Sequence, residues 1–197
     1  MEASAIAATT RLYTDMGSVF AKMLTPGNPC IVFSYDPAAA RVKAKTAKLS
    51  PPQRALSWVL RTGSGSYTLG PDQAVRTLDG QAVPVRDLKV GTELHSCELQ
   101  NADGDIFLVD GKGAMIPLHQ LIEQDLETGF QPLSLASPSS YRAGIIQTVL
   151  EVGEGAPSDV HPFTLDCPSP RDRSAASGHN FLIWPDGTSF GSGIFAY

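Results

Sequence analysis

The sequence predicts a mainly β protein, with an all-β domain over residues 67–197 and, before it, a helical arm with one short strand over residues 1–66. Three observations predict it. After Tyr67, short apolar segments recur every eight to twelve residues between the turn pairs Asp79-Gly80, Asp103-Gly104, Asp110-Gly111 and Asp186-Gly187, the pattern of hairpin-connected strands. Before Ser66, apolar residues recur at three and four, the period of a helix. The charge also changes sign at this place: residues 1–66 hold eight Lys/Arg against three Asp/Glu, or +5, and residues 67–197 hold seven against seventeen, or −10.

Taken in order, the first element is a long amphipathic helix from Ile6 to Leu24, carrying Leu12, Tyr13, Met16, Val19, Phe20, Met23 and Leu24 on one stripe and stopped by Pro26-Gly27. That stripe, through Leu12, Met16, Val19, Phe20 and Met23, is the expected contact with partner proteins or with a second copy of the chain. Cys30 to Tyr35, CIVFSY, reads as a strand between Pro29 and Pro37. Pro51-Pro52 opens a second helix with Ala55, Leu56, Val59 and Leu60 on one side. The Gly/Ser stretch Gly63 to Ser66 is the expected boundary between domains. In the second half only Pro117 to Leu126 breaks the β pattern, and its periodicity fits a short helix or a distorted strand.

Composition excludes several function classes. The 197 residues, 42% apolar with 18 Gly and 15 Pro, suit one modest, turn-rich globular unit. No apolar run reaches the roughly eighteen residues that a bilayer crossing needs. No basic n-region precedes the apolar start, so a location inside a cell or a particle is expected. Cys30, Cys97 and Cys167 are odd in number and widely spaced, and His95, His119, His161 and His179 are dispersed, which fits neither a disulfide framework nor a short-range metal motif. No cofactor is expected: Gly63-Ser64-Gly65 lacks the Lys-Ser/Thr that a phosphate loop requires. The cations Arg41, Lys43, Lys45, Lys48 and Arg54 carry no interleaved aromatic residue that could stack on bases, which makes nucleic acid the weakest partner reading.

Two blocks of the second half resemble the hedgehog/intein (Hint) family. The first is TLGPDQAVRTLDGQAVPVRDLKVGTEL, Thr68 to Leu94, similar to a pattern in which a nucleophile starts a strand, an Asp-Gly turn follows and a "DLKVG" turn leads onward. The second runs from Thr148 to Tyr197, where TVLEV, HPFTLD, GHNFLI and GSGIFAY resemble the family's last strands. Between them IPLHQL resembles a weakened T-x-x-H block that would place its histidine at His119, with Ile116 where the threonine would stand.

The resemblance implies self-processing chemistry: a thiol or hydroxyl at the head of the domain attacks the preceding carbonyl and converts an amide to an ester or thioester. It places Thr68, or Ser66 with a two-residue insertion, at the attacking position, His119 as proton donor, Asp166 as a residue that could orient His119 or His179, and His179-Asn180 in the HNF signature. The alternatives for these residues are structural: a hydrogen-bonded core histidine at 119, a turn buttress at 179–180, linker hydroxyls at 66 and 68. Tyr197 stands where splicing members carry a His-Asn pair. The expected function is therefore a non-catalytic intein-like module in the assembly of a larger complex such as a phage or viral particle. Self-cleavage near Ser66–Thr68 is the alternative.

Overall fold

The computed structural model describes residues 5–14, 17–36, 41–102, 105–109, 115–117, 146–166, 180–186 and 191–197. Among them are seventeen strands and two short 3-10 turns. No described element is an α-helix, so among the described residues there is no helix long and apolar enough to cross a membrane.

The predicted N-terminal helix is absent, and strands stand in its place. The segment forms β1 (Ala5–Ala7), β2 (Arg11–Thr14) and β3 (Gly17–Phe20), closed by a single 3-10 turn, Ala21–Met23. β2 and β3 are a hairpin in which Leu12 faces Val19 and Thr14 faces Gly17. The apparent three-and-four spacing arises because inward positions of two short antiparallel strands were read as one continuous face. The stripe expected to meet a partner is split: Leu12 is buried in the core, Val19 packs against it, and Met23 is exposed. Met16 lies outside the described residues.

The second predicted helix is likewise β6 (Gln53–Ala55) and β7 (Trp58–Thr62). Exposed Val59 and Arg61 alternate with buried Leu60 and Thr62, the two-residue period of a half-buried strand. CIVFSY is a strand as expected, within β4 (Pro29–Asp36), and pairs along its length with β5 (Arg41–Leu49), which carries the cation run.

Gly63 to Ser66, expected to separate two domains, is the tight turn of a hairpin between β7 and β8 (Gly65–Leu69). The chain then builds β9 (Ala74–Arg76) and β10 (Ala82–Pro84) around the Asp79-Gly80 turn, followed by the long β11 (Glu93–Ala102), β12 (Asp105–Val109) and β13 (Met115–Pro117). From Leu118 onward the Pro117–Leu126 segment is outside the described residues. The closing block supplies β14 (Ile146–Glu154), β15 (Ser158–Asp166), β16 (Phe181–Trp184) and β17 (Gly191–Ala196), at the places its motifs indicated.

Long-range pairing interleaves the first 66 residues with the rest. β1 lies between β8 and β15, while β5 and β6 both pair with β15. β2 pairs with β16, and β14 adds to β7 with a bulge between Val149 and Glu151. β11 links three layers, pairing in turn with β14, β17 and β12. One core joins residues from both charge halves, among them Ile6, Leu12, Val32, Leu60, Leu69, Val75, Phe181 and Ile194. A buried polar chain threads it. Thr62 Oγ1 and Tyr67 Oη both donate to Gln147 Oε1, at 2.6 and 2.9 Å, Gln147 Nε2 donates to Ser96 Oγ at 3.1 Å, and Ser96 Oγ donates to the Gly193 carbonyl at 2.6 Å. Every member has a partner, so the network fixes the register of five strands instead of costing stability.

Candidate functional site

The segment between β8 and β11 places the groups of interest. Gly70-Pro71-Asp72-Gln73 makes a turn in which Gln73 N donates to the Gly70 carbonyl at 3.0 Å, and an Asp72–Arg86 ion pair ties it to the following loop. The turn drives the Gln73 side chain inward, where it is buried. At the next corner Thr77 Oγ1 hydrogen-bonds Asp79, and Gly80 adopts φ +91°, a conformation that favours glycine.

Buried Gln73 joins three distant parts of the chain. Its Oε1 accepts the Ala5 N–H at 3.0 Å, and its Nε2 donates to the carbonyl of Ala74 at 3.0 Å and to the main-chain oxygen of Tyr197. Tyr197 N donates back to the Ala74 carbonyl at 2.8 Å. Arg76 completes the enclosure: Nη1 donates to Tyr197 Oη at 2.8 Å and to the Gly80 carbonyl at 3.3 Å, and Nε donates to His95 Nδ1 at 3.2 Å. His95 is buried beside the Phe195 ring at 4.9 Å between centroids. Burial, helped by the nearby guanidinium, pushes its pKa down to about 4, so the ring is neutral at pH 7. With Nδ1 accepting from Arg76, the ring proton sits on Nε2.

The residues that the sequence singled out lie elsewhere. Thr68 and Ser66 sit within β8 on the face opposite buried Tyr67 and Leu69. Thr68 Oγ1 donates to Asp186 Oδ2 at 2.9 Å, its carbonyl accepts from Thr10 Oγ1 at 3.1 Å, and the Ser66 carbonyl accepts the Asp186 N–H at 2.7 Å. Thr68 faces Val59 and Ser66 faces Arg61 in a continuous antiparallel ladder. Asp166 closes β15 opposite Thr46, while His119 and His179 lie outside the described residues. Asn180, next to His179, is buried and accepts from Ser34 Oγ at 3.1 Å, a bond from the HNF segment to β4. His161 Nδ1 lies 3.0 Å from the Ser50 carbonyl, a structural strand-end contact. Among the described residues no three of His, Cys, Asp and Glu converge on one point, and Cys30 and Cys97 are buried and outside any disulfide.

No family model and no curated protein matches the chain. Solved structures do. A DnaX mini-intein from Spirulina platensis superposes with a TM-score of 0.54 at 11% identity, over 96% of this chain and 98% of that one. A bacterial intein-like domain from Clostridium thermocellum gives 0.54 at 15% identity, over 100% and 99%. A DnaB intein from Synechocystis sp. PCC 6803 gives 0.53 at 12% identity, over 98% and 97%. This chain has the intein-like Hint fold.

The likeness spans the whole chain, including the seven strands that precede Thr68. The chain's first and last strands meet at Gln73. These are the residues that sequence reasoning missed: Ala5, Gln73, Arg76, His95 and Tyr197. No short-range pattern marks the junction, because the partners of Gln73 at Ala5 and Tyr197 lie 68 and 124 residues away in the chain.

Proposed function

We propose that the chain is a non-catalytic Hint-fold module that acts by binding, as an assembly element of a larger complex such as a phage or viral particle. The Ala5–Gln73–Tyr197 junction carries this reading. An acyl shift needs a nucleophile where the fold begins and an acid that protonates the departing amine. Among the described residues the junction is made by the main chain of Ala5 and the neutral carboxamide of Gln73, which hold hydrogen bonds but neither attack a carbonyl nor deliver a proton at neutral pH. The junction thus supplies hydrogen bonds without acyl-shift chemistry, which suits a scaffold. Exposed Leu56, Val59, Val90 and Leu150 supply apolar surface for partners. The particle setting rests on the similarity of degenerate intein-like domains to modules of such proteins.

Intact mass after long incubation at pH 7, with and without hydroxylamine, tests the first half of the proposal. A mass that stays at 20.9 kDa is the expected result. For the second half, the purified chain should self-associate or co-sediment with purified particles, and a monomer with affinity for neither would overturn the assembly role.

The Thr68–Asp186 hydrogen bond favours a second reading, in which a hydroxyl beside a carboxyl cleaves the chain. That reading requires a cut at the 65/66 or 67/68 bond that disappears in Thr68→Ala or Ser66→Ala.

A further inference from the structure

Asp186 sits where a short turn after β16 is pressed onto the β7–β8 hairpin. The fit is close: a Cβ built on Gly65, whose φ is +142°, would lie 2.7 Å from Cβ of Pro185. The Asp186 N–H is spent on the Ser66 carbonyl at 2.7 Å, which fixes the residue's backbone against the hairpin. Its carboxyl has one partner only, the Thr68 hydroxyl on Oδ2, while Oδ1 is inaccessible to solvent and has no hydrogen-bond partner.

That arrangement treats the two protonation states differently. An ionised carboxylate spreads its charge over both oxygens and seeks several donors. Here one oxygen has a single hydroxyl and the other, Oδ1, has neither a donor nor access to solvent, so ionisation leaves the charge on Oδ1 unsolvated. A neutral carboxyl fits better, because its O–H can donate to Thr68 Oγ1 and the remaining carbonyl is only a weak, uncharged acceptor.

The surrounding groups do not correct the imbalance. On β8 the titratable neighbour is Tyr67, whose phenol is buried, donates to Gln147 and is itself pushed above its ordinary range by burial. On β2 the cation opposite Trp184 is Arg11, whose guanidinium lies over the Phe20 ring at 4.2 Å. On β7 the cation opposite Ser66 is Arg61, an exposed side chain paired with Glu151 at 2.9 Å, and the hairpin turn itself contributes Thr62, Ser64 and Ser66, none of them charged.

We propose that Asp186 is a proton-operated latch between the turn after β16 and the β7–β8 hairpin, closed when its carboxyl is protonated and loosened when the proton leaves. The upward shift of this carboxyl to about 6, caused first by burial and opposed by the Thr68 hydrogen bond, puts the transition within the range of acidified compartments and media. The latch is independent of whether the module is catalytic.

Amide hydrogen exchange of the Asp186 N–H, which is donated to Ser66, reads the latch directly on the full chain. Corrected for intrinsic exchange, protection should fall about tenfold or more between pH 5 and pH 7.5 in the wild type. In Asp186→Asn it should stay at one level across that range. Protection that does not change with pH in the wild type, or an equal change in Asp186→Asn, would overturn the latch. If the variant fails to fold, a carbon-detected titration of the wild-type Asp186 carboxyl decides: a midpoint near 6 supports the proposal, and one below about 4.5 ends it.

Discussion

Arg76 donates from Nε to His95 Nδ1 at 3.2 Å and from Nη1 to the Tyr197 phenol at 2.8 Å, so one guanidinium holds a neutral imidazole and the last residue of β17's extension together. The bond exists only while His95 is uncharged, since a protonated ring would present N–H to N–H. The folded state therefore resists protonation of this histidine down to about pH 4, against an ordinary value of 6.5.

The sign of the consequence follows from proton counting. Between pH 6.5 and 4 the unfolded chain binds a proton at residue 95 that the folded chain refuses, so stability contributed by neutral His95 is full above 6.5 and lost as pH falls towards 4. The loss amounts to about 3 kcal/mol at most. Urea midpoints at pH 7.5 and 4.5 should differ by less in His95→Gln than in the wild type, with the variant less stable at pH 7.5.

Asp186 acts in the opposite direction. Its folded-state value is raised to about 6 from 3.8, so its contribution is full below 3.8 and is lost as pH rises through 6. Asp186→Asn, which keeps the hydrogen bond with Thr68 and removes the charge, should stabilise the protein at pH 7.5. The carboxyl is partly exposed, so the gain is expected at about 1 kcal/mol, below what the full shift would imply. Thermal melts of wild type and variant should converge near pH 4.

Gln73 is the residue on which the junction depends. Gln73→Ala removes the side-chain partner of the Ala5 N–H and of the Tyr197 oxygen in a half-buried site, at a cost of about 1–2 kcal/mol. Gln73→Glu keeps an acceptor for Ala5 but sets a carboxyl oxygen against the Tyr197 oxygen. It should cost as much or more at pH 7.5 and recover partly in acid, where the carboxyl regains a proton to donate. Chemical denaturation at both pH values checks it.

Packing at the centre of the fold allows no Cβ at Gly193. A methyl group there would sit 2.6 Å from the Ile183 carbonyl oxygen and 3.2 Å from the side chains of Leu182 and Trp184, and backbone cannot yield as a flexible side chain can. Gly193→Ala should therefore lower stability by about 3 kcal/mol or more. Gly153→Ala, with nothing within 4 Å, is the control and should change it by less than about 1 kcal/mol.

Short-range signals were legible wherever one strand or turn decided the outcome. Asp79-Gly80, the run leading through Gly91 at φ +91° and the four closing strands stand where the residues indicated, because turn chemistry and two-residue alternation act within a few positions. Leu12 and Val19 show the limit. Their spacing of seven fits two turns of a helix, yet they face each other across a hairpin, and Leu12 gains its burial only because β16 lies alongside. Val59 and Leu60 show the same limit, because their strand is set by pairing with β8 on one side and β14 on the other.

By itself the sequence determined that this is a turn-rich β protein of Hint type with no long apolar span. Only the tertiary structure decided what its junction is made of. Ala5, Gln73 and Tyr197 are separated by 68 and 124 residues, and no local preference of any of them encodes the meeting. It results from antiparallel pairing of β1 with β8 and of β17 with β9, contacts whose stability comes from a shared core that forms only when the whole chain is folded.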